Sequence, residues 1–209
     1  MSALPGAPCR SDMTPSQLAM DQPDSPVRGY RLPSDLTGNH PTRHLTARLV
    51  LRPIQADDFP LLQAIFTDPA TTAHRPDPRV ETLEECEVRM GRYLDHWRDN
   101  GFGLWTLERQ HDAIGLGGLT HRDGFSGLNL SYHLHPDHWR QGFASEFAAA
   151  AVDIAFQDMA ASRVIGVVRH VNLASRRVLE KAGLTLAREI VYGNHPGLLY
   201  VKHREPIPR

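Results

Sequence analysis

Apolar residues recur along the chain with two different periods, and the switches between them outline the elements. Leu45, Leu49, Val50, Leu51 and Ile54 form a β-rich run that Pro53 confines to an edge or a strand end. Phe59, Leu62, Ile65 and Phe66 then fall at helical spacing, with Asp57 or Asp58 as the cap and Pro69 as the stop. Residues 74–78 hold two prolines and read as a loop. Thr82 followed by Glu85 is a capping box, opening a second helix through Val88, Leu94 and Trp97 to Asn100-Gly101. Runs at 104–107 and 114–119 flank a short turn and predict a hairpin. Leu128, Leu130, Tyr132 and Leu134 alternate with polar residues, the mark of a half-buried strand. A polar turn then leads into a long helix with Phe147, Ala151, Ile154 and Ala155 on one face. Residues 163–168 are continuously apolar, as in the buried centre of a sheet. A short helix at 173–182 ends at Gly183, which suits a left-handed C′ position, and strands at 184–192 and 198–201 make a second hairpin. Strands and helices alternate, so the class is α/β.

Composition adds a boundary. Seven of the 16 prolines lie within the first 44 residues, among Ser, Asp and Gly and without apolar periodicity. Such a segment buries too little apolar surface to offset its ordering entropy, roughly 1–2 kcal/mol per residue. Residues 1–44 are therefore expected to be a flexible extension, and residues 45–209 one domain of ordinary size. Acidic residues (24) nearly cancel basic ones (23), which argues against nucleic acid or an anionic membrane as partner. Only Lys181 and Lys202 are lysines, and the many arginines are scattered. Two cysteines, Cys9 and Cys86, exclude a disulfide framework and a multi-thiolate zinc site. Neither a membrane span nor a secretory signal is apparent, so a soluble cytoplasmic protein is expected.

Two segments carry candidate chemistry. The turn His135-Pro-Asp-His-Trp-Arg-Gln-Gly-Phe-Ala144 joins a strand to a helix and exposes unpaired N–H groups at the positive end of the helix dipole. Phosphate is the usual ligand of such a place. Gly142 lets a ligand approach the backbone, Ala144 keeps the first turn free of bulk, and Arg140 adds a charge-assisted contact. The plainer alternative is an ordinary strand-to-helix connection. About thirty residues on, Asn172 and Ser175 follow the buried strand, where an open sheet presents its ligand crevice. Helix capping explains both residues equally well.

Together these segments resemble the GNAT superfamily of acyl-CoA-dependent N-acetyltransferases, and among them the branch of the ribosomal-protein alanine N-acetyltransferases. The opening Leu45-Thr-Ala-Arg-Leu-Val-Leu-Arg-Pro53 looks like that branch's first strand, and Trp105 with Ile114-Gly115 like its central hairpin. Residues 132–146 resemble its strand and pyrophosphate loop; Asn172-x-x-Ser175 with Lys181-x-Gly183 resembles the last shared motif. Trp139 and Ala144 stand where the superfamily often has Gln or Arg and a glycine.

The resemblance implies a GNAT fold: a mixed, seven-stranded, splayed sheet with four helices. It implies acetyl-CoA as co-substrate, its pyrophosphate on N–H groups of Arg140, Gln141, Gly142, Phe143, Ala144 and Ser145. The pantetheine would pair with backbone of Leu134 and His135 and with Asn172, and Ser175 would protonate the leaving thiolate. The expected activity is acetylation of a primary amine, a protein N-terminal α-amine or a small-molecule amine, by direct attack in a ternary complex. The alternative is a module of the same fold that binds acyl-CoA without catalysis. A homodimer is compatible with either.

Chemistry narrows the acceptor. An α-amine with pKa near 8 costs roughly 1.4 kcal/mol to deprotonate at neutral pH, and a lysine near 10.4 about 4.6 kcal/mol. No carboxylate offers itself as a strong base, so a low-pKa amine fits better. His133 is the base candidate, against the alternative of a solvated strand residue. Loop 74–78 and the turn 193–197 are free to shape the acceptor entrance with His74, Arg75, Asp77, Asn194 and His195, and Trp105 is expected as an apolar wall. One acid among several cations suggests a small acceptor or a chain terminus over a polycation. A metal site on His133, His135 and His138 would need a third ligand from an irregular turn, so no metal is expected. Cys86 reads as a small buried apolar residue rather than a nucleophile.

Overall fold

Period-two patterning yields the expected sheet, and the helices divide over its faces. In a computed structural model, residues 43–75, 77–192 and 194–205 are described. The Pro-rich segment 1–44 thus lies almost wholly outside the described residues. The chain order is β1 (His44–Leu45), β2 (Val50–Pro53), α1 (Phe59–Phe66), α2 (Pro69–Thr72), α3 (Leu83–Asn100), β3 (Leu104–Arg109), β4 (Asp112–Arg122), β5 (Phe125–Leu134), α4 (Phe143–Gln157), β6 (Arg163–Val168), α5 (Leu173–Lys181), β7 (Thr185–Tyr192) and β8 (His195–His203). The strands form one mixed sheet in the order β1-β2-β3-β4-β5-β6-β8-β7, in which β5 and β6 are the parallel pair. Helices α4 and α5 pack on one face, over Trp105, Leu130, Leu134, Val164 and Tyr200. Helices α1 and α3 cover Leu104 and Leu116 on the other face.

The described residues hold eight strands and five helices, not seven and four. One added strand comes from splitting the first apolar run. Thr46 closes a turn on Leu49 in both directions: its N–H donates to the Leu49 carbonyl and its hydroxyl accepts from the Leu49 N–H, both at 2.9 Å. Glu146, at the start of α4, fixes that turn by accepting from the Thr46 hydroxyl (2.5 Å) and the Arg48 N–H (2.7 Å). The added helix begins where a stop was expected. Pro69 occupies its first turn, where a missing N–H costs nothing, and Asp68 accepts from the Ala70 N–H as cap.

Asp58 also differs from expectation. Its side chain does not cap α1. The carboxylate is buried, receives two hydrogen bonds from Arg52 (2.7 and 2.8 Å), and accepts from the Gln55 N–H and the Thr106 hydroxyl at 2.8 Å. Burial opposes its charge, but these donors outweigh it and hold the carboxyl below its ordinary pKa. This pair ties β2 and β3 to the turn before α1. The Thr82–Glu85 capping box forms as the spacing predicts, with both reciprocal bonds present. Gly183 ends α5 with φ +86°.

Removing one partner of a buried, fully bonded ion pair costs about 3–5 kcal/mol. Asp58→Ala is therefore expected to lower unfolding free energy by about that much in urea titration. Asp57→Ala, on an exposed neighbour, should stay within about 0.5 kcal/mol of the wild type.

Candidate active site

The sheet opens at its parallel pair. Strands β5 and β6 pair only at Leu128↔Val164 and Asn129↔Ile165, although β5 continues to Leu134 and β6 to Val168. On its other edge β5 follows β4 as far as Gly115↔Leu134, and the His135 N–H donates to the Ile114 carbonyl at 3.0 Å. Antiparallel bonding alternates along a strand. Backbone groups of Ser131, His133 and His135 therefore face β4, and those of Tyr132 and Leu134 face the opening. Of the two residues expected to pair with pantetheine, Leu134 presents its N–H to the gap, and the His135 N–H is already engaged by β4. The Leu134 carbonyl accepts from the Trp139 indole N–H at 2.8 Å, which accounts for Trp139 at the head of the loop.

Below the gap stands the start of α4. Arg140 (φ +60°) and Gly142 (φ +83°) both take left-handed backbone, which turns successive N–H groups toward one side. Gly142 is the helix N-cap and no side chain caps the first turn, leaving the N–H groups of Phe143, Ala144 and Ser145 to meet an anion. Phe143 is buried, with the Arg48 and Arg109 guanidinium carbons 4.5 and 5.3 Å from its ring centre. Arg48 also donates to the Gln141 carbonyl (3.0 Å) and to Glu146 (2.6 Å), which holds the loop against the helix. The Gln141 side chain donates to the Asp137 carbonyl at 3.0 Å.

Across the gap, Asn172 caps α5, its side-chain oxygen accepting from the Ser175 N–H at 3.0 Å. Its amide NH2 is left for a ligand. Ser175 lies beside the Tyr132 hydroxyl. That hydroxyl is buried and, among the described residues, makes no hydrogen bond of good geometry. Burial pushes its pKa up to about 12, so it stays protonated and able to donate. A buried donor without an acceptor, beside an uncapped helix and an unpaired strand N–H, is a place built for a polar ligand. The residues present therefore fit an acyl-CoA.

The opposite face of β5 carries the acceptor candidates. His133 stacks on Phe66 of α1 with ring centres 4.7 Å apart. Burial, then the nearby Arg89, Arg75 and His74, push its pKa down to about 3. It is half-buried rather than freely solvated, and the lowered pKa disfavours its taking a proton at neutral pH. His74 and Arg75 reach this face from the α2–α3 loop. The turn between β7 and β8 is brought near by Arg169, which lies within electrostatic range of His74 and donates to the carbonyls of Tyr192 (2.9 Å) and His195 (3.1 Å). His195 contributes its carbonyl; its side chain is exposed. Trp105 is not a wall of this entrance. It is fully buried on the other face, edge-on to Phe147 and to His44. His135 and His138 lie edge-to-face with ring centres 6.4 Å apart, and among the described residues no three His, Cys, Asp or Glu converge on a metal position. Cys86 is buried in the α1–α3 core, and burial raises its thiol pKa.

Comparison with known proteins assigns the family. The family model described as "Acetyltransferase (GNAT) domain" matches residues 48–185. The chain belongs to the GNAT acetyltransferase family. An uncharacterized N-acetyltransferase of Bacillus subtilis (strain 168), YoaA, is 28% identical over 159 residues, 71% of this chain and 88% of that protein. The crystal structure of an acetyltransferase from Agrobacterium tumefaciens str. C58 superposes with a TM-score of 0.68 at 27% identity, covering 78% of this chain and 94% of that one. RimL, a ribosomal L7/L12 alpha-N-protein acetyltransferase solved with coenzyme A, shares the fold at a TM-score of 0.64 and 18% identity, over 77% of this chain and 96% of that one.

The site of this GNAT protein includes residues that sequence reading did not single out. Tyr132 was legible only as an apolar-face strand residue, and Arg89 and Arg169 lack any local motif. Arg48 stood in the opening motif without a role.

The lowered pKa of His133 predicts that the protein loses stability in acid. The folded pKa lies below the unfolded value near 6.5, so between about pH 6.5 and 3 the unfolded chain binds the extra proton. Stability is fully present above pH 6.5 and falls as the pH drops, by up to about 1.4 kcal/mol per pH unit for this group. His133→Gln should show a shallower loss of melting temperature between pH 6 and 4 than the wild type.

Proposed function

We propose that this protein transfers the acetyl group of acetyl-CoA to a primary amine by direct attack within a ternary complex. The observation that carries the reading is the parting of β5 and β6: a Leu134 N–H in the gap, the bare start of α4 on one side, and the His133 face on the other. Acetyl-CoA supplies an activated acyl carbon on sulfur. The N–H groups from Arg140 to Ser145, with the Arg140 side chain, bind the pyrophosphate. The Leu134 N–H steadies negative charge on the carbonyl oxygen as nitrogen attacks. The Asn172 amide hydrogen-bonds the pantetheine arm. Ser175, backed by the Tyr132 hydroxyl, gives a proton to the departing thiolate.

His133 is neutral and weakly basic, so it shapes the acceptor side and does not take the amine's proton. That favours an α-amine or another low-pKa amine, which deprotonates with little help. Both a protein N-terminus and a small molecule meet this condition. His74, Arg75 and the 193–197 turn with His195 form the entrance.

Two measurements test the reading. Gly142→Glu places bulk and like charge against the pyrophosphate and should weaken acetyl-CoA binding at least tenfold by calorimetry, about 1.4 kcal/mol. Ser175→Ala should lower kcat for thiol release with an amine acceptor while leaving the acetyl-CoA Kd unchanged. Adding Tyr132→Phe should bring the total loss to about 10²-fold or more, the range of general-acid catalysis. Unchanged kcat in the double variant would remove both hydroxyls from the mechanism.

A further inference from the structure

Arg75 and Arg89 line a cavity together with Arg79, Arg92 and the acids Asp77, Glu81, Glu84 and Glu85; among the described residues, Glu81 is the acid that contacts Arg75 and Arg89. The Arg89 guanidinium carbon lies 4.2 Å from the centre of the Phe66 ring, on which His133 also stacks. Arg89 donates to both oxygens of Glu81, whose side chain is largely buried. Arg75 approaches the same carboxylate at 3.6 Å, too far for a hydrogen bond. Arg169 follows directly on β6 and lies within electrostatic range of His74. It spends Nη1 on the carbonyls of Tyr192, His195 and Pro196, and its Nε and Nη2 have no partner among the described residues. Arg75 and Arg89 thus share the Glu81 carboxylate, and Arg169 has no carboxylate within ion-pair distance among the described residues. The two imidazoles between them, His74 and His133, add no compensating negative charge.

Such a cleft does two things to an amine acceptor. It attracts a carboxylate attached to the acceptor, through guanidinium donors not yet engaged. It also lowers the pKa of the acceptor's ammonium, because like charge disfavours the protonated form. The second effect supplies what the site lacks, since His133 is too weak a base to deprotonate an amine. A polycation is disfavoured beside Arg75 and Arg169, where each added ammonium meets like charge.

We propose that the acceptor is a small primary amine bearing a carboxylate, of the amino-acid type, with its carboxylate held by Arg75 and Arg169. The proposal rests on the acetyltransferase reading above and adds the charge of the substrate to it.

The test is thiol release from acetyl-CoA by the full-length protein with matched acceptors: free amino acids, the same amino acids as C-terminal amides, a neutral dipeptide amide, and spermidine. The amides have the less basic amines and are intrinsically the readier nucleophiles at pH 7.5. A preference for free acids by tenfold or more in kcat/KM, weakened by added salt, is expected. Arg75→Gln should raise KM for the acids at least fivefold, spare the amides, and leave acetyl-CoA Kd unchanged. Arg169→Gln should act in the same direction, and Arg75→Gln decides alone if loss of Arg169 unfolds the hairpin. Equal or faster turnover of amides, dipeptide amide or spermidine would overturn the acceptor assignment and leave the acetyltransferase intact. Absence of thiol release with every acceptor, despite acetyl-CoA binding, would overturn the catalytic reading and this proposal with it.

Discussion

Two neighbouring parallel strands that part after two residue pairs are the constraint on which this molecule is organised. Strand β5 is held by β4 along its length, and β6 by β8 through six residue pairs. Neither strand can move to close the gap without breaking a ladder on its outer edge. The N–H and C=O groups facing the gap are left without strand partners, and buried backbone groups in that condition are rare because they cost free energy. In the reaction proposed above, a ligand's own amides and carbonyls would take the place of those partners.

Around that opening arginines stand on both faces, each set with its own acid partner. On the donor side the α4 dipole and Arg48, Arg109 and Arg140 supply positive potential. Glu146 is the acid in that first turn, and it is neutralised locally by Arg48. On the acceptor side Arg75, Arg89 and Arg169 gather around Phe66, His133 and the β7–β8 turn. A single strand divides the two sets. Even-numbered side chains of β5, Leu130, Tyr132 and Leu134, belong to the α4 side, and the odd-numbered His133 belongs to the α1 side.

Local signals gave local answers. The capping box at Thr82–Glu85, the buried strand at 163–168, the α5 end at Gly183 and the loop before α4 were all legible, because each depends on residues within one or two turns of itself. The failures lie where distant parts decide. The first apolar run splits because Glu146, a hundred residues away, fixes a turn at Thr46 and Arg48. Pro69 reads as a stop by itself, yet Asp68 makes it a start. His133 has an ordinary imidazole's basicity until Phe66, Arg75 and Arg89 close around it. Trp105 lies one residue out of phase with the acceptor face, a distinction that requires knowing which way β3 presents its pleat. For the fold, family-wide motifs compensate for such blindness; for the acceptor side, which no motif covers, they do not.

The division of labour along β5 has a consequence for how the sequence can drift. In the proposed reading donor-side recognition rests partly on main-chain N–H groups, which every residue but proline provides, so individual substitutions would leave it standing. The phase of the strand is another matter. One residue added or lost between Asn129 and Leu134 would turn the Tyr132 position to the acceptor face, bring His133 to the donor face, and rotate the Leu134 N–H toward β4. This segment should therefore accept changes of letter far more readily than changes of length, and a natural variant with a one-residue indel there should be sought among proteins that keep the fold and have lost the reaction.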